Sequence, residues 1–224
     1  MKKHLLPAQR SAFSLIELVV VIAIIAIIAT FTVPAASTIL RGSAITQASQ
    51  TLTDQISLGR QLALSRNRAV EVRFYQYADP EAPGETVTDQ STWKYRAIQL
   101  FEVVESGVAV PLDKPQRLPV SVVIEPNIAF STLIPATPTK PVATDPDLPR
   151  GIVKPNYRYA SFRFLQDGST NLPPSSTWFV TIHNLTDTPT GTTMKKANND
   201  PINFFTLQID PVSGATKSFR PTAA

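Results

Sequence analysis

Hydrophobic and polar positions divide the chain into three parts. Residues 13–33 are almost entirely apolar, and Glu17 is the single charged residue among them. After this segment, apolar residues recur with a period near 3.6, which predicts an amphipathic helix. These positions are Ile45, Ala48, Leu52, Ile56, Gly59 and Ala63. Beyond Asn67 the period changes to two, so we predict one long helix from Ser14 to Asn67 and strands after it.

Six short segments in the last part alternate apolar and polar residues and predict strands. Within 93–104, Tyr95 and Ala97 are expected on one face and Ile98 on the other. Within 70–75, the alternation predicts a strand that is buried on one face only. Short antiparallel strands behind one helix indicate an α+β fold. The six segments are 70–75, 93–104, 120–125, 157–164, 177–184 and 204–209.

Three segments between the strands predict loops. Residues 79–89 are acidic, residues 186–201 are polar, and residues 132–155 contain six prolines. The proline-rich composition predicts a stiff, poorly ordered surface excursion, with a docking segment of polyproline type as the alternative. The dipeptides Asp167-Gly168 and Ser213-Gly214 predict turns.

The first apolar segment is long enough to cross a membrane as a helix. Its 21 residues would rise about 31 Å, against a hydrocarbon core of about 30 Å. Basic residues precede it, so the N-terminus is expected in the cytoplasm and the remainder outside. A secretory signal peptide cleaved near Pro34-Ala35-Ala36 and a plain signal anchor are the alternatives. Neither explains Glu17, because a carboxylate inside a membrane helix is costly and usually functional.

Composition and charge exclude several kinds of chemistry. The chain has 224 residues, which suits one globular domain and an accessory segment. It contains no cysteine, which excludes disulfides and thiolate metal sites. The net charge of +4 falls to +1 without Lys2, Lys3 and Arg10. The chain after residue 12 is therefore near neutral, and its charge gives little support for nucleic-acid binding.

Candidate catalytic residues are scarce. His4 lies near the N-terminus, and His183 lies among apolar residues of a predicted strand, where a lone histidine is usually structural. The common metal, nucleotide and hydrolase motifs are missing from the sequence. Asp210 and the residues after it lack the ligand-rich spacing of a calcium loop. We therefore predict no catalytic residues, no metal, no cofactor and no enzyme activity.

The residues around Glu17 resemble a known processing motif. Ser11-Ala12-Phe13-Ser14-Leu15-Ile16-Glu17-Leu18 is similar to the cleavage and methylation motif of type IV prepilins, whose usual form is Gly-Phe-Thr-Leu-Ile-Glu-Leu. The resemblance implies cleavage between Ala12 and Phe13 by a prepilin peptidase, and N-methylation of Phe13. Glu17 then becomes the fifth residue of the mature chain. Pro34 falls at mature position 22, where pilins commonly carry a helix-kinking proline.

This resemblance gives Glu17 a physical role. In a filament, the carboxylate of one subunit can neutralise the N-terminal amine of its neighbour inside an apolar bundle. Either charge alone would be costly there, whereas the pair fixes the axial register. The partners implied are a prepilin peptidase, other pilin or pseudopilin subunits, and lipid of the bacterial inner membrane. Ala12 stands where the family usually has glycine, and it is also small.

Three later segments are similar to those of GspH/FimT-type minor pseudopilins, and in detail to the group called Verru_Chthon cassette protein D. They are residues 61–72, 162–169 and 210–217. The resemblance implies a structural subunit of a type II secretion or type IV pilus-like filament with a pilin-like fold. A membrane-anchored module that binds DNA or a surface ligand is the alternative. Lys217 and Arg220 near the C-terminus are its candidate contacts, although two charges make a weak nucleic-acid footprint.

The predicted organisation follows from these segments. The chain would pass once through the inner membrane, with its N-terminus cytoplasmic and its head periplasmic. The predicted parts are a leader at 1–12, a transmembrane half-helix at 13–36, an amphipathic half-helix at 37–68, and a β-rich head at 69–224 that includes the proline-rich loop 132–155.

Overall fold

The computed structural model describes residues 14–135 and 137–221, without the side chains of residues 31–39. These residues belong to two compact units, Met1–Leu40 and Arg41–Ala224. Helix α1 extends from Leu15 to Arg66, which confirms the predicted helix to within one residue at each end. The kink predicted at Pro34 concerns a residue outside the described side chains and stays a prediction.

The second unit contains one sheet in which every strand pairing is antiparallel. The strand order is β6-β1-β2-β5-β7-β8-β9, and β3 and β4 both pair with β2. The predicted α+β architecture, a long helix with an antiparallel sheet, is confirmed. The strands are β1 (Val70–Tyr77), β2 (Lys94–Val103), β3 (Ala109–Pro111), β4 (Gln116–Arg117), β5 (Val122–Ile124), β6 (Tyr157–Phe164), β7 (Trp178–Asn184), β8 (Phe204–Ile209) and β9 (Thr216–Phe219).

Helix α1 covers one face of this sheet, which we call the helix face. All six positions of the predicted apolar stripe are buried, and five of them join one core cluster with residues from six strands. Gly59 lets the helix approach closely, because a Cβ at this position would lie 3.2 Å from Leu100 and 3.4 Å from Phe164. The predicted stripe is confirmed as the packing surface of the helix.

The opposite face of the sheet, the outer face, is covered by loops. Tyr75 and Tyr77 of β1 and Tyr157 and Tyr159 of β6 form an aromatic cluster there together with Phe101 of β2. The segment 137–155, which we call the strap, contributes the buried side chains Leu148 and Ile152 to this cluster. The prediction that the proline-rich loop is a poorly ordered surface excursion is therefore wrong. The prediction that β1 is buried on one face only is wrong for the same reason.

A β-bulge changes the faces predicted for β2. Tyr75 pairs with Ala97, but Gln76 pairs with Tyr95, so Arg96 is an extra residue in the ladder. Tyr95 consequently joins the core on the helix face, whereas Ala97 lies in the outer-face cluster. The prediction that Tyr95 and Ala97 share a face is wrong, because strict alternation does not allow for an inserted residue.

Two turns far apart in sequence meet at the side of α1. Gly168 and Gly214 both have positive φ angles, 82° and 66°, which confirms the two predicted turns. The Arg60 guanidinium donates Nε–H toward the Ser213 carbonyl oxygen at 3.0 Å and the Gly168 carbonyl oxygen at 3.4 Å. A Cβ on Gly214 would overlap the Gly168 carbonyl oxygen. Gly214 is therefore required by both its backbone angle and its neighbour.

We expect Gly214→Ala to lower the free energy of unfolding by about 3 kcal/mol, since backbone strain and overpacking act together. Gly107→Ala is the matched control, because Gly107 has a φ of 80° and a Cβ added there would have no atom within 4 Å. The control should lose only the strain energy, about 1 kcal/mol. Thermal unfolding of the detergent-solubilised chain measures both, and equal losses would contradict the contact between the two turns.

Candidate functional site

The first candidate site is the start of α1. Ser14 precedes the helix, and its backbone N–H donates to Glu17 Oε2 at 3.0 Å. In return, the Glu17 N–H donates to Ser14 Oγ at 3.3 Å. This reciprocal pair is a capping box, and it satisfies two amide groups that a helix start leaves without partners. The predicted cleavage residues Ala12 and Phe13 lie outside the described residues.

This cap is a feature that the interpretation of Glu17 as a filament contact does not include. A serine followed three residues later by glutamate, directly before an apolar run, is the usual signal for a capping box. Ser14 and Glu17 satisfy it. Glu17 therefore has a structural role within its own chain, in addition to any role between subunits.

Large apolar side chains dominate the surface of α1 after this cap. Those between Leu15 and Ile28 are exposed, with Leu15 at 81% and Ile28 at 56%. Apolar surface of this extent is typical of regions that contact lipid or another protein. Within the part of the chain that the structure describes, no helix is both long and apolar enough to cross a membrane.

A second polar site lies under the strap. The Arg73 guanidinium is sandwiched between two rings, 4.1 Å from the centre of Phe101 and 4.2 Å from the centre of Tyr159. Its Nε donates to Glu71 at 2.6 Å, and its Nη1 donates to Asp145 of the strap at 2.7 Å. All three charged side chains are at most 5% exposed. The strap is thus attached to the outer face of the sheet by a buried ion pair.

The electrostatics of this cluster favour a structural role. Burial alone would lower the pKa of Arg73, but the hydrogen bond to Asp145 and the charge of Glu71 raise it above its ordinary value. Burial raises the pKa of Tyr75 beside it. Glu71 Oε2 also accepts a hydrogen bond from Arg163 Nε at 2.9 Å, and it forms an ion pair with Arg163 Nη2 at 2.8 Å. Arg73 and Tyr75 therefore keep their protons near neutral pH, and neither is suited to proton transfer.

The acidic loop 79–89 is held in a similar way. Glu85 pairs with Arg96, the bulge residue of β2, and both side chains are nearly inaccessible. Asp79 accepts a hydrogen bond from Arg117 Nη2 at 2.6 Å. The Arg96 Nη1 also donates to the Val120 carbonyl oxygen at 2.9 Å. Buried ion pairs therefore attach two of the three predicted loops to the sheet.

His183 lies in β7 as predicted, and it is buried. Its Nδ1 lies 2.8 Å from the Asn184 carbonyl oxygen, and its Nε2 lies 3.0 Å from Glu125 Oε2. A carbonyl oxygen only accepts, so Nδ1 is the donor in the contact with Asn184. Burial alone would raise the pKa of Glu125, but hydrogen bonds from His183 and the Asn127 N–H hold it below its ordinary value.

Little in these sites points to catalysis or to a metal. Among the described residues, no group of three or more histidine, aspartate or glutamate side chains could hold a metal ion. Asp210 accepts hydrogen bonds from the Val212 and Ser213 backbone amides, at 2.9 and 3.2 Å. Those two bonds account for its position in the turn.

The two predicted C-terminal cations are both exposed. Arg220 Nη1 donates to Thr46 Oγ1 of α1 at 3.0 Å. The Lys217 ammonium lies 5.0 Å from the centre of the Phe219 ring. The two residues thus belong to the strand and the tail that run beside the helix.

Comparison with known proteins identifies the N-terminal segment. Residues 7–33 match the family model of the prokaryotic N-terminal methylation motif. This match covers the predicted cleavage site and Glu17, and it confirms the prediction of a prepilin-type motif. No curated protein matches the chain. Among solved structures, the comparison finds the minor pseudopilin EpsH from the Type 2 Secretion System of Vibrio cholerae, with 9% identity and a TM-score of 0.41, over 79% of this chain and 99% of that one.

We expect Asp145→Asn to release the strap. The variant leaves the Arg73 charge buried with one carboxylate fewer, which should lower the free energy of unfolding by about 3 kcal/mol. Limited trypsin digestion measures this release at Arg150, whose bond to Gly151 is the strap's one basic site not followed by proline. Cleavage there should be much faster than in the native chain. Asp147→Asn is the matched control, since Asp147 is 53% exposed and 4.0 Å from Lys154. Equal cleavage of the two variants would contradict the assigned role of Asp145.

Proposed function

We propose that this chain, which is a type IV pilin-like protein, is a minor pseudopilin, a structural subunit of a type II secretion or type IV pilus-like filament. The observation that carries the proposal is the methylation motif over residues 7–33, with Glu17 five places after the predicted cleavage site. The resemblance of residues 61–72, 162–169 and 210–217 to GspH/FimT-type proteins supports the minor class.

The exposed apolar surface of α1 supports an anchoring and assembly role for the first helix. We propose that residues 13–36 are embedded in the inner membrane before assembly and contact the helices of other subunits afterwards. The basic residues before this segment would keep the N-terminus cytoplasmic and place the head in the periplasm. The helix is thus the assembling part of the molecule, and the head is the part presented to the exterior.

The role proposed for Glu17 is to pair with the N-terminal amine of a neighbouring subunit. In the described structure its carboxylate accepts one hydrogen bond, from the Ser14 N–H. A carboxylate has about four acceptor positions, so the cap leaves capacity for an ammonium group. Inside an apolar bundle the two opposite charges would stabilise each other, whereas each alone would be strongly unfavourable.

Processing can be tested directly on the membrane-extracted protein. We expect mass spectrometry to find N-methyl-phenylalanine, from Phe13, as the first residue of the mature chain. Removal of residues 1–12 by a prepilin peptidase and methylation of the new amine would both be visible in that peptide. A mature chain that starts at Ser37 would indicate a conventional signal peptide and would refute the anchor.

Assembly can be tested at Glu17 with two variants. Glu17→Ala should be processed normally but poorly incorporated into filaments, because the charge pair is lost. Glu17→Gln keeps an acceptor for the Ser14 N–H, as glutamine also completes a capping box, but it carries no charge. We expect it to fail like Glu17→Ala in cross-linking of filament fractions. Incorporation of Glu17→Gln at the native level would show that the cap, and not the charge, is needed.

A further inference from the structure

The end of the described chain forms a positively charged surface together with the start of the second unit. Arg41, Lys217 and Arg220 are all exposed. The sequence has no acidic residue between Glu17 and Asp54, and none after Asp210. The three cations therefore lie in two segments that contain no carboxylate of their own.

The direction of β9 brings these two segments together. At one end of the strand, Arg60 of α1 binds the Ser213 carbonyl oxygen at 3.0 Å. At the other end, Arg220 binds Thr46 of α1 at 3.0 Å. Fourteen helical residues separate Thr46 from Arg60 and rise about 21 Å, and the seven residues from Ser213 to Arg220 extend about 23 Å. The strand thus runs along the helix toward Arg41.

The surface at this end of the unit combines charge with an exposed aromatic ring. We call it the basal surface and define it by Thr46, Lys217, Phe219 and Arg220. Phe219 is 42% exposed, and the Lys217 ammonium lies against its ring. Basic side chains together with exposed Phe, Trp or Leu are typical of segments that lie at a membrane–water interface.

We propose that the basal surface binds the phosphate groups of anionic phospholipids in the membrane that anchors the chain. The inference rests on the proposed span at 13–36. Ten residues separate residue 36 from Thr46, so the Arg220 contact can lie no farther than about 36 Å from the span, the length of the fully extended chain. Arg41 is only five residues beyond it. A lipid surface is thus within reach of all three cations.

Lipid fits this surface better than nucleic acid does. Nucleic-acid affinity grows with the number of phosphates contacted, and three cations give weak binding to a free polymer. A membrane that already holds the chain presents its phosphates at a high effective concentration, so a few contacts are enough. Phe219 adds an apolar group that an interface accommodates, whereas a duplex backbone offers it no partner.

The test uses the full processed chain reconstituted in vesicles. Because the chain has no cysteine, Ser218→Cys places one fluorescent label between Lys217 and Phe219. Nitroxide on the lipid headgroups should quench this label in phosphatidylglycerol-containing vesicles and much less in pure phosphatidylcholine. The quenching should fall when salt is raised to about 1 M, where the Debye length is about 3 Å.

The charge dependence is tested with a double variant and a matched control. Lys217→Gln with Arg220→Gln should weaken the contact about thirtyfold, as measured by the phosphatidylglycerol fraction needed for half-maximal quenching. Lys140→Gln with Lys195→Gln removes the same charge from exposed sites elsewhere and should leave quenching unchanged. A label at Gln166→Cys, in the turn that follows β6, should not be quenched in any vesicle.

Three outcomes would overturn the inference. Equal quenching in charged and neutral vesicles, or no response to the double variant, would show that these cations do not bind lipid. Salt-sensitive binding of duplex DNA by the same surface, with no effect of phosphatidylglycerol, would assign the surface to nucleic acid. A chain that fails to float with any vesicle would contradict the anchor itself, which distinguishes failure of the proposed function from failure of this inference.

Discussion

A sheet has two faces, and a single helix can cover only one of them. In this protein the apolar stripe of α1 covers the helix face, which leaves the aromatic outer face to be covered by connecting segments. Those segments are too polar and too rich in proline to form an apolar layer of their own. Buried ion pairs attach them instead: Asp145 joins the strap to Arg73, and Glu85 joins the acidic loop to Arg96. Removing Asp145 would leave the buried Arg73 with Glu71 alone, and removing Glu85 would leave the buried Arg96 without its ion-pair partner, so these loops are fixed parts of the fold.

The sequence predicts those features of the fold that have a local periodic pattern of apolar residues. Periodicity predicts the helix stripe from Ile45 to Ala63 and the main strands, because each faces a core throughout its length. The cover of the outer face has no such pattern, since Arg73 and Asp145 are 72 residues apart. Buried Glu71 and Arg73 also gave β1 the alternation of a half-exposed strand. The tyrosines opposite the helix were the one available sign that this face is covered.

The candidate sites also differ in whether a local sequence pattern predicts them. The prepilin-type motif is a short, contiguous pattern, and it can be recognised from residues 11–18 alone. The capping box is an equally local pattern. The role of Glu17 in a charge pair between subunits does not by itself suggest its second role in capping the helix. The approach of Arg220 to Thr46 joins residues 174 apart and depends on how β9 runs beside the helix. No pattern within either segment predicts it.

The cap at Ser14 has a consequence for association. If cleavage follows Ala12, only Phe13 would precede the capping residue, and few backbone torsions would remain to be fixed when subunits meet. Ordering a flexible terminus opposes binding through lost conformational entropy, and a short, capped terminus largely avoids that loss. Each subunit would then bring a preorganised charged end to its neighbour. The contact would then fix the axial register without first having to order the terminus.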